Sequence, residues 1–175
     1  FTMALVNRPS FKHEDYNAVF WFNIWVSWGL YLILFFLAPF IADFYEKPEL
    51  VSLARVSFLS FAIVSMGIAH NALLIKQLKV KERSITDIAA IVSSGIIAIV
   101  LAVKGFGYWT LVIQQLVYTT VWTVMRWSFS SWYPTLRFDF RPLKEMFGFS
   151  FKLLSSSIVT QIHANIFSVL LGKFN

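Results

Sequence analysis

Apolar residues in this chain run in long unbroken blocks, and polar residues gather in the short gaps between them. Residues 19–42 and 108–125 contain no charged side chain, residues 50–75 only Arg55, and residues 85–103 only Asp87. A fifth block, 148–171, is apolar but diluted by hydroxyl and amide side chains, with Lys152 in its first turn. A bilayer core of roughly 30 Å requires about 20 apolar residues in a helix rising ~1.5 Å each. The blocks therefore predict about five membrane-crossing helices. A membrane barrel would instead show segments of about ten residues alternating between apolar and polar. Trp21, Trp25 and Trp28 open the first block, as expected near a headgroup interface, and Pro39 is predicted to bend its far end.

Composition narrows the picture further. Of 175 residues, 58% are hydrophobic and 14% charged, which leaves too little polar surface to cover a soluble globule. With no cysteine, a disulfide scaffold is excluded. No basic, apolar and small-residue triplet of regions opens the chain, so no signal peptide is expected, and the sequence reads as an internal piece of a longer protein. The net charge of +6 is unevenly placed, with eleven of the fifteen Lys and Arg residues in three regions. These are the start (Arg8, Lys12), the 76–83 loop (Lys76, Lys79, Lys81, Arg83) and the 126–152 stretch (Arg126, Arg137, Arg141, Lys144, Lys152). The other side holds Lys47, Arg55, Lys104 and Lys173. The positive-inside bias then places the start of the chain and both basic loops in the cytoplasm. The opposite loops, 43–49 and 104–107, are too short to enclose a catalytic site. Residues 126–147 interleave aromatics with Arg and Lys around Pro134 and Pro142, which suits a connector lying at the headgroup interface far better than a nucleic-acid surface.

Candidate chemistry lies on the helix faces. Ala90, Ser94, Ala98 and Ala102 recur every four residues in the third block and predict close packing of a neighbouring helix. Gln115, Thr119, Trp122 and Arg126 share one face of the fourth, flanked by Gln114 and Tyr118, and Arg126 is expected to reach the cytoplasmic headgroups. In the fifth, Ser157, Gln161, Asn165, Ser168 and Gly172 form a stripe that suits the lining of an aqueous path, with His163 well off that stripe. The second block adds Ser60, Gly67 and Asn71, next to His70, and the first adds Asn23 and Ser27. Arg55, near a non-cytoplasmic helix start, either snorkels or pairs with phosphate, which guanidinium binds bidentately. The candidate substrate path is therefore Asn23, Arg55, Asn71, Gln114, Gln115, Ser157, Gln161 and Asn165. No catalytic motif, cofactor-binding loop or facing pair of metal-ligand clusters is present. Asp87 is read as a helix cap, and the consecutive His13-Glu14-Asp15 makes a poor metal site.

Several stretches resemble bacterial polysaccharide exporters. They include Ala4-Leu5-Val6 with the charged run through Asp15, then Val19-Phe20-Trp21-Phe22-Asn23, and Asn71-Ala72-Leu73-Leu74 before a basic loop. The most specific is Gly105, Gly107, Trp109, Leu111 and Val112 followed by Gln114-Gln115; Trp132-Tyr133-Pro134 and Phe147-Gly148-Phe149 follow later. Together they resemble the O-antigen and capsule repeat-unit flippases of the multidrug/oligosaccharidyl-lipid/polysaccharide exporter superfamily. The resemblance implies an all-α integral membrane bundle: helices three to seven of a two-lobe transporter. Residues 1–125 would belong to the first lobe, 126–147 to a cytoplasmic connector, and 148–175 to the first helix of the second lobe. The implied activity is transport rather than enzymatic catalysis. Lipid-diphosphate-linked oligosaccharide would cross the bacterial inner membrane by alternating access for surface polysaccharide assembly. Membrane lipids would be partners, with a glycan polymerase and export machinery beside them, and no cofactor is implied. A drug exporter of the same superfamily and a membrane-embedded polysaccharide polymerase are the competing classes.

Overall fold

The computed structural model describes residues 12–136 without a break, with residues 5–6, 141, 143–144, 147–148, 151, 155–157 and 160 beside them. Four helices make up the continuous part: α1 (His13–Phe44), α2 (Leu50–Lys76), α3 (Val80–Val103) and α4 (Trp109–Phe129). No strand occurs among the described residues. The fifth expected helix lies outside the described residues, apart from isolated helical positions such as 155–157.

Two helices begin earlier than their apolar blocks. α1 starts at His13, and Glu14 and Asp15 in its first turn complement the positive end of the helix dipole. α3 starts at Val80, so Lys81, Glu82 and Arg83 form a charged opening turn before the apolar stretch begins. Asp87 consequently sits two turns inside the helix instead of capping it. α1, α2 and α3 are long and apolar enough to cross a membrane. α4 was expected to do the same. It has the length, but Gln114, Gln115, Thr119, Thr120 and Thr123 make it less apolar than the other three.

The first three helices all stop in the same way, in a Schellman turn. Lys47 N–H donates to Ala42 O at 3.0 Å, Lys79 N–H to Leu74 O at 3.0 Å, and Phe106 N–H to Leu101 O at 3.1 Å. Each turn requires one left-handed residue. Gly105 takes that place after α3 (φ 79°), while Glu46 (φ 54°) and Leu78 (φ 53°) take it after α1 and α2. These tight reversals make successive helices run in opposite directions.

Packing does not follow chain order. α1 lies on α2, α2 on α4, and α4 on α3, while α3 barely meets α2. The contact between α2 and α4 is close at Gly67, where an added Cβ would sit 2.5 Å from Cζ3 of Trp122. Ala90 and Ser94 of the small-residue stripe are buried, whereas Ala102 at its far end is exposed. Among the described residues an apolar core lies at one end of the bundle, where Tyr16, Val19, Phe20, Leu73 and Trp132 are buried together. Elsewhere α1 and α3 turn apolar side chains outward: Trp25, Ile33 and Phe40 on α1, and Ile88, Ile91 and Ile99 on α3 are all exposed. In water such surfaces would be costly; in a bilayer they meet a solvent of their own polarity.

Candidate functional site

Three polar arrangements stand out, and each arises from a local demand of the helices. The first joins three helices around Arg126, which is only 2% exposed. Its Nη1 donates to Asn71 Oδ1 of α2, and its Nη2 donates to Asp87 Oδ1 of α3 at 2.7 Å. The guanidinium also lies over the Trp122 ring, 4.3 Å from its centroid. Arg126 thus turns into the bundle instead of reaching outward to headgroups. A buried charge in an apolar surrounding needs a countercharge, and between residues 50 and 136 only Glu82 and Asp87 are acidic. The Asp87 side chain keeps 42% exposure, so the pair is buried on one side and open on the other.

The second arrangement is an aromatic cage at the same end. His70 is fully buried, and neither ring nitrogen has a hydrogen-bond partner among the described residues. Its ring lies 4.5 Å from that of Trp127 and 5.2 Å from that of Trp132, with Phe20 edge-on at 6.2 Å. Trp127 is fixed by its Nε1–H, which donates to Met66 O at 2.8 Å. The segment after α4 folds back over the start of α1 and closes the cage. There Trp132 Nε1–H donates to His13 Nδ1 at 2.9 Å, Thr135 N–H to Asn17 Oδ1 at 2.8 Å, and Trp21 Nε1–H to Thr135 O at 2.8 Å. Of the expected 126–147 connector, residues 126–129 belong to α4 and 130–136 form this strap.

The third lies toward the opposite end of α1 and α2. Pro39 has no N–H, so the carbonyl of Phe35, four residues earlier, loses its helical partner. Arg55 supplies the missing donor: its Nε–H reaches Phe35 O at 3.3 Å, and its guanidinium stacks 4.2 Å over the Phe35 ring.

The residues expected on a substrate path are spread among these features. Asn71 is in the Arg126 cluster, and Arg55 is in the Pro39 repair. Asn23 is half-buried and donates within its own helix to Val19 O at 2.8 Å. Gln114 is half-buried, while Gln115 and Ser157 are exposed. Gln161 and Asn165 lie outside the described residues. Sequence reasoning missed the Asp87–Arg126 pair and the His70 cage. The scarcity of acids was the available signal for the first, and the run of Trp and His residues near the 70 and 127–132 positions for the second.

Comparison with known proteins converges on one family. The family described as "polysaccharide biosynthesis protein" matches residues 1–175. The chain is 31% identical over 179 residues to the teichuronic acid biosynthesis protein TuaB of Bacillus subtilis (strain 168), covering 99% of this chain and 36% of that one. It is 27% identical over 161 residues to the succinoglycan biosynthesis transport protein ExoT of Rhizobium meliloti (strain 1021), covering 92% and 33%. The lipopolysaccharide biosynthesis protein WzxC of Escherichia coli (strain K12) is 21% identical over 176 residues, covering 97% and 35%. The chain therefore spans about a third of the length of these relatives. No solved structure matches it. An all-α bundle with three membrane-length apolar helices, matched along its whole length, makes this chain a membrane protein of the polysaccharide biosynthesis family.

Proposed function

We propose that the full-length protein carries lipid-diphosphate-linked oligosaccharide repeat units across the bacterial inner membrane for surface polysaccharide assembly. The observation that carries this reading is the family match over residues 1–175, supported by a relative named as a succinoglycan transport protein. Transport by alternating access requires a lobe that moves as a unit between inward-open and outward-open states. The Arg126 cluster supports such a unit, because one guanidinium ties α2, α3 and α4 together. Residues 1–125 would form part of the first lobe and 148–175 would begin the second. Positive-inside bias puts the Arg126 end in the cytoplasm.

In this reading the sugar headgroup passes along a polar path that includes Asn23, Gln114, Gln115, Ser157, Gln161 and Asn165, while the lipid tail stays in the bilayer. Asn71 holds Arg126 beside that path. Catalysis plays no part, and the chemistry is recognition and relocation of an amphiphile. Deleting the full-length gene in its host, then assaying surface polysaccharide and lipid-linked repeat units together, tests the reading. Loss of surface glycan with single repeat units accumulating on the cytoplasmic leaflet is the expected result. Unchanged glycan would sink it and favour a drug exporter, which altered drug sensitivity would reveal. Within the transporter, replacing both Gln161 and Asn165 with Leu should impair transport without lowering expression.

A further inference from the structure

Between α1 and α2 runs a groove of about 470 Å³ whose walls include Tyr31, Phe35, Pro48, Val56 and Leu59, with Arg55 among them. Its size falls within the range of ordinary small-ligand sites. Arg55 is the one charged residue on its walls, and no carboxylate faces it there. The Pro39 repair engages Nε and one face of the guanidinium. The two η nitrogens, with four N–H donors, have no partner among the described residues. A half-buried guanidinium stacked on an aromatic ring, with free donors and apolar walls, calls for an anion.

Depth and charge select which anion. Arg55 is the sixth residue of α2, about 8 Å below the helix start at ~1.5 Å per residue. A helix of 27 residues is about 40 Å long, matching a bilayer with its headgroups, so this depth is the inner edge of the headgroup layer, within reach of lipid phosphates for a long side chain. A groove with one cation matches one negative charge, whereas a diphosphate would bring more than Arg55 neutralises. The turn beside the groove sets Asp43, Glu46 and Glu49 against Lys47 alone, and its net negative charge disfavours a more highly charged anion still further. We infer that the α1–α2 groove binds one acidic phospholipid of the bilayer, its phosphodiester held by the η nitrogens of Arg55 and a chain lying along Tyr31, Phe35 and Leu59. The lipid is a resident partner of the transporter, distinct from any cargo it moves.

The test uses the full-length protein, purified in detergent, delipidated and titrated with phosphatidylglycerol while native mass spectrometry counts adducts. Parallel titrations use diacylglycerol of the same chains, inorganic phosphate and a polyprenyl diphosphate. One phosphatidylglycerol should bind, about tenfold more weakly to Arg55→Gln, since charged hydrogen bonds are lost. Leu59→Trp, which fills the groove and leaves the Arg55–Phe35 bond alone, should lose the lipid too and guards against a folding artefact at Arg55. Diacylglycerol and inorganic phosphate should not saturate the site. Equal phosphatidylglycerol binding by the wild type and both variants would overturn the inference. So would tighter binding of inorganic phosphate, which would mean a free-anion site, or of the polyprenyl diphosphate, which would mean a cargo site.

Discussion

Breaking the Arg126–Asp87 pair from its two sides should have unequal consequences. Arg126 is almost wholly buried, so Asp87→Asn leaves a guanidinium in apolar surroundings with amide partners only. Stranding a fully buried charge costs about 3–5 kcal/mol, and the open side of Asp87 reduces this to about 2–3 kcal/mol. Arg126→Met removes the buried charge itself. It leaves Asp87, which water or headgroups can solvate, and the Asn71 side-chain carbonyl, for a loss of about 1–2 kcal/mol. The double variant should therefore resemble Arg126→Met alone, because Asp87→Asn costs little once the guanidinium is gone. The assay is reversible unfolding of the full-length protein in mixed micelles, with the four proteins of the cycle measured side by side. The reasoning is refuted if Arg126→Met is the more damaging single change, or if the two losses simply add.

Three further outcomes follow from individual contacts. Gly67→Ala should destabilise the α2–α4 contact by about 1–3 kcal/mol in the same unfolding assay, since its Cβ would meet the Trp122 ring at 2.5 Å. Leu78→Gly should raise stability by about 1 kcal/mol, because Leu78 is exposed and its φ of 53° costs a β-carbon residue what glycine avoids; an unchanged midpoint would deny that strain. Arg55→Gln should cost about 1 kcal/mol in the natural background but close to nothing after Pro39→Ala, which returns an N–H to Phe35 O. Equal losses in both backgrounds would remove the link between Arg55 and Pro39.

The four helices were legible because each is an apolar block bounded by charge. Their starts were less so, since a helix continues past the bilayer edge through charged turns such as Lys81-Glu82-Arg83, where an apolar window sees nothing. Neighbour order was hidden as well. The stripe at Ala90 and Ser94 announces a close partner, but only the fold reveals that it is α4 rather than the preceding α2. At the candidate site, Arg126 was visible as the end of a helix face, yet its direction depended on an acid two turns inside α3 and on an amide in α2. The Arg55–Phe35 bond was readable in principle, because any proline within a helix frees a carbonyl four residues back. What donates to that carbonyl depends on tertiary placement, which no local pattern encodes.

The insertion of α4 between α2 and α3 also bears on how the protein is made. Helices leave the ribosome in chain order, so α3 enters the membrane before the helix that will hold it exists. During that interval Asp87 lacks the Arg126 guanidinium, and Ala90 and Ser94 lack the α4 surface. At about 5–20 residues per second, the 39 residues separating Asp87 from Arg126 take roughly two to eight seconds to synthesise. For that time the nascent α3 is held mainly by its lipid-facing side, and the arrival of Arg126 locks three helices in one event. Biogenesis of this helical bundle therefore has a late commitment step, set by the last turn of α4.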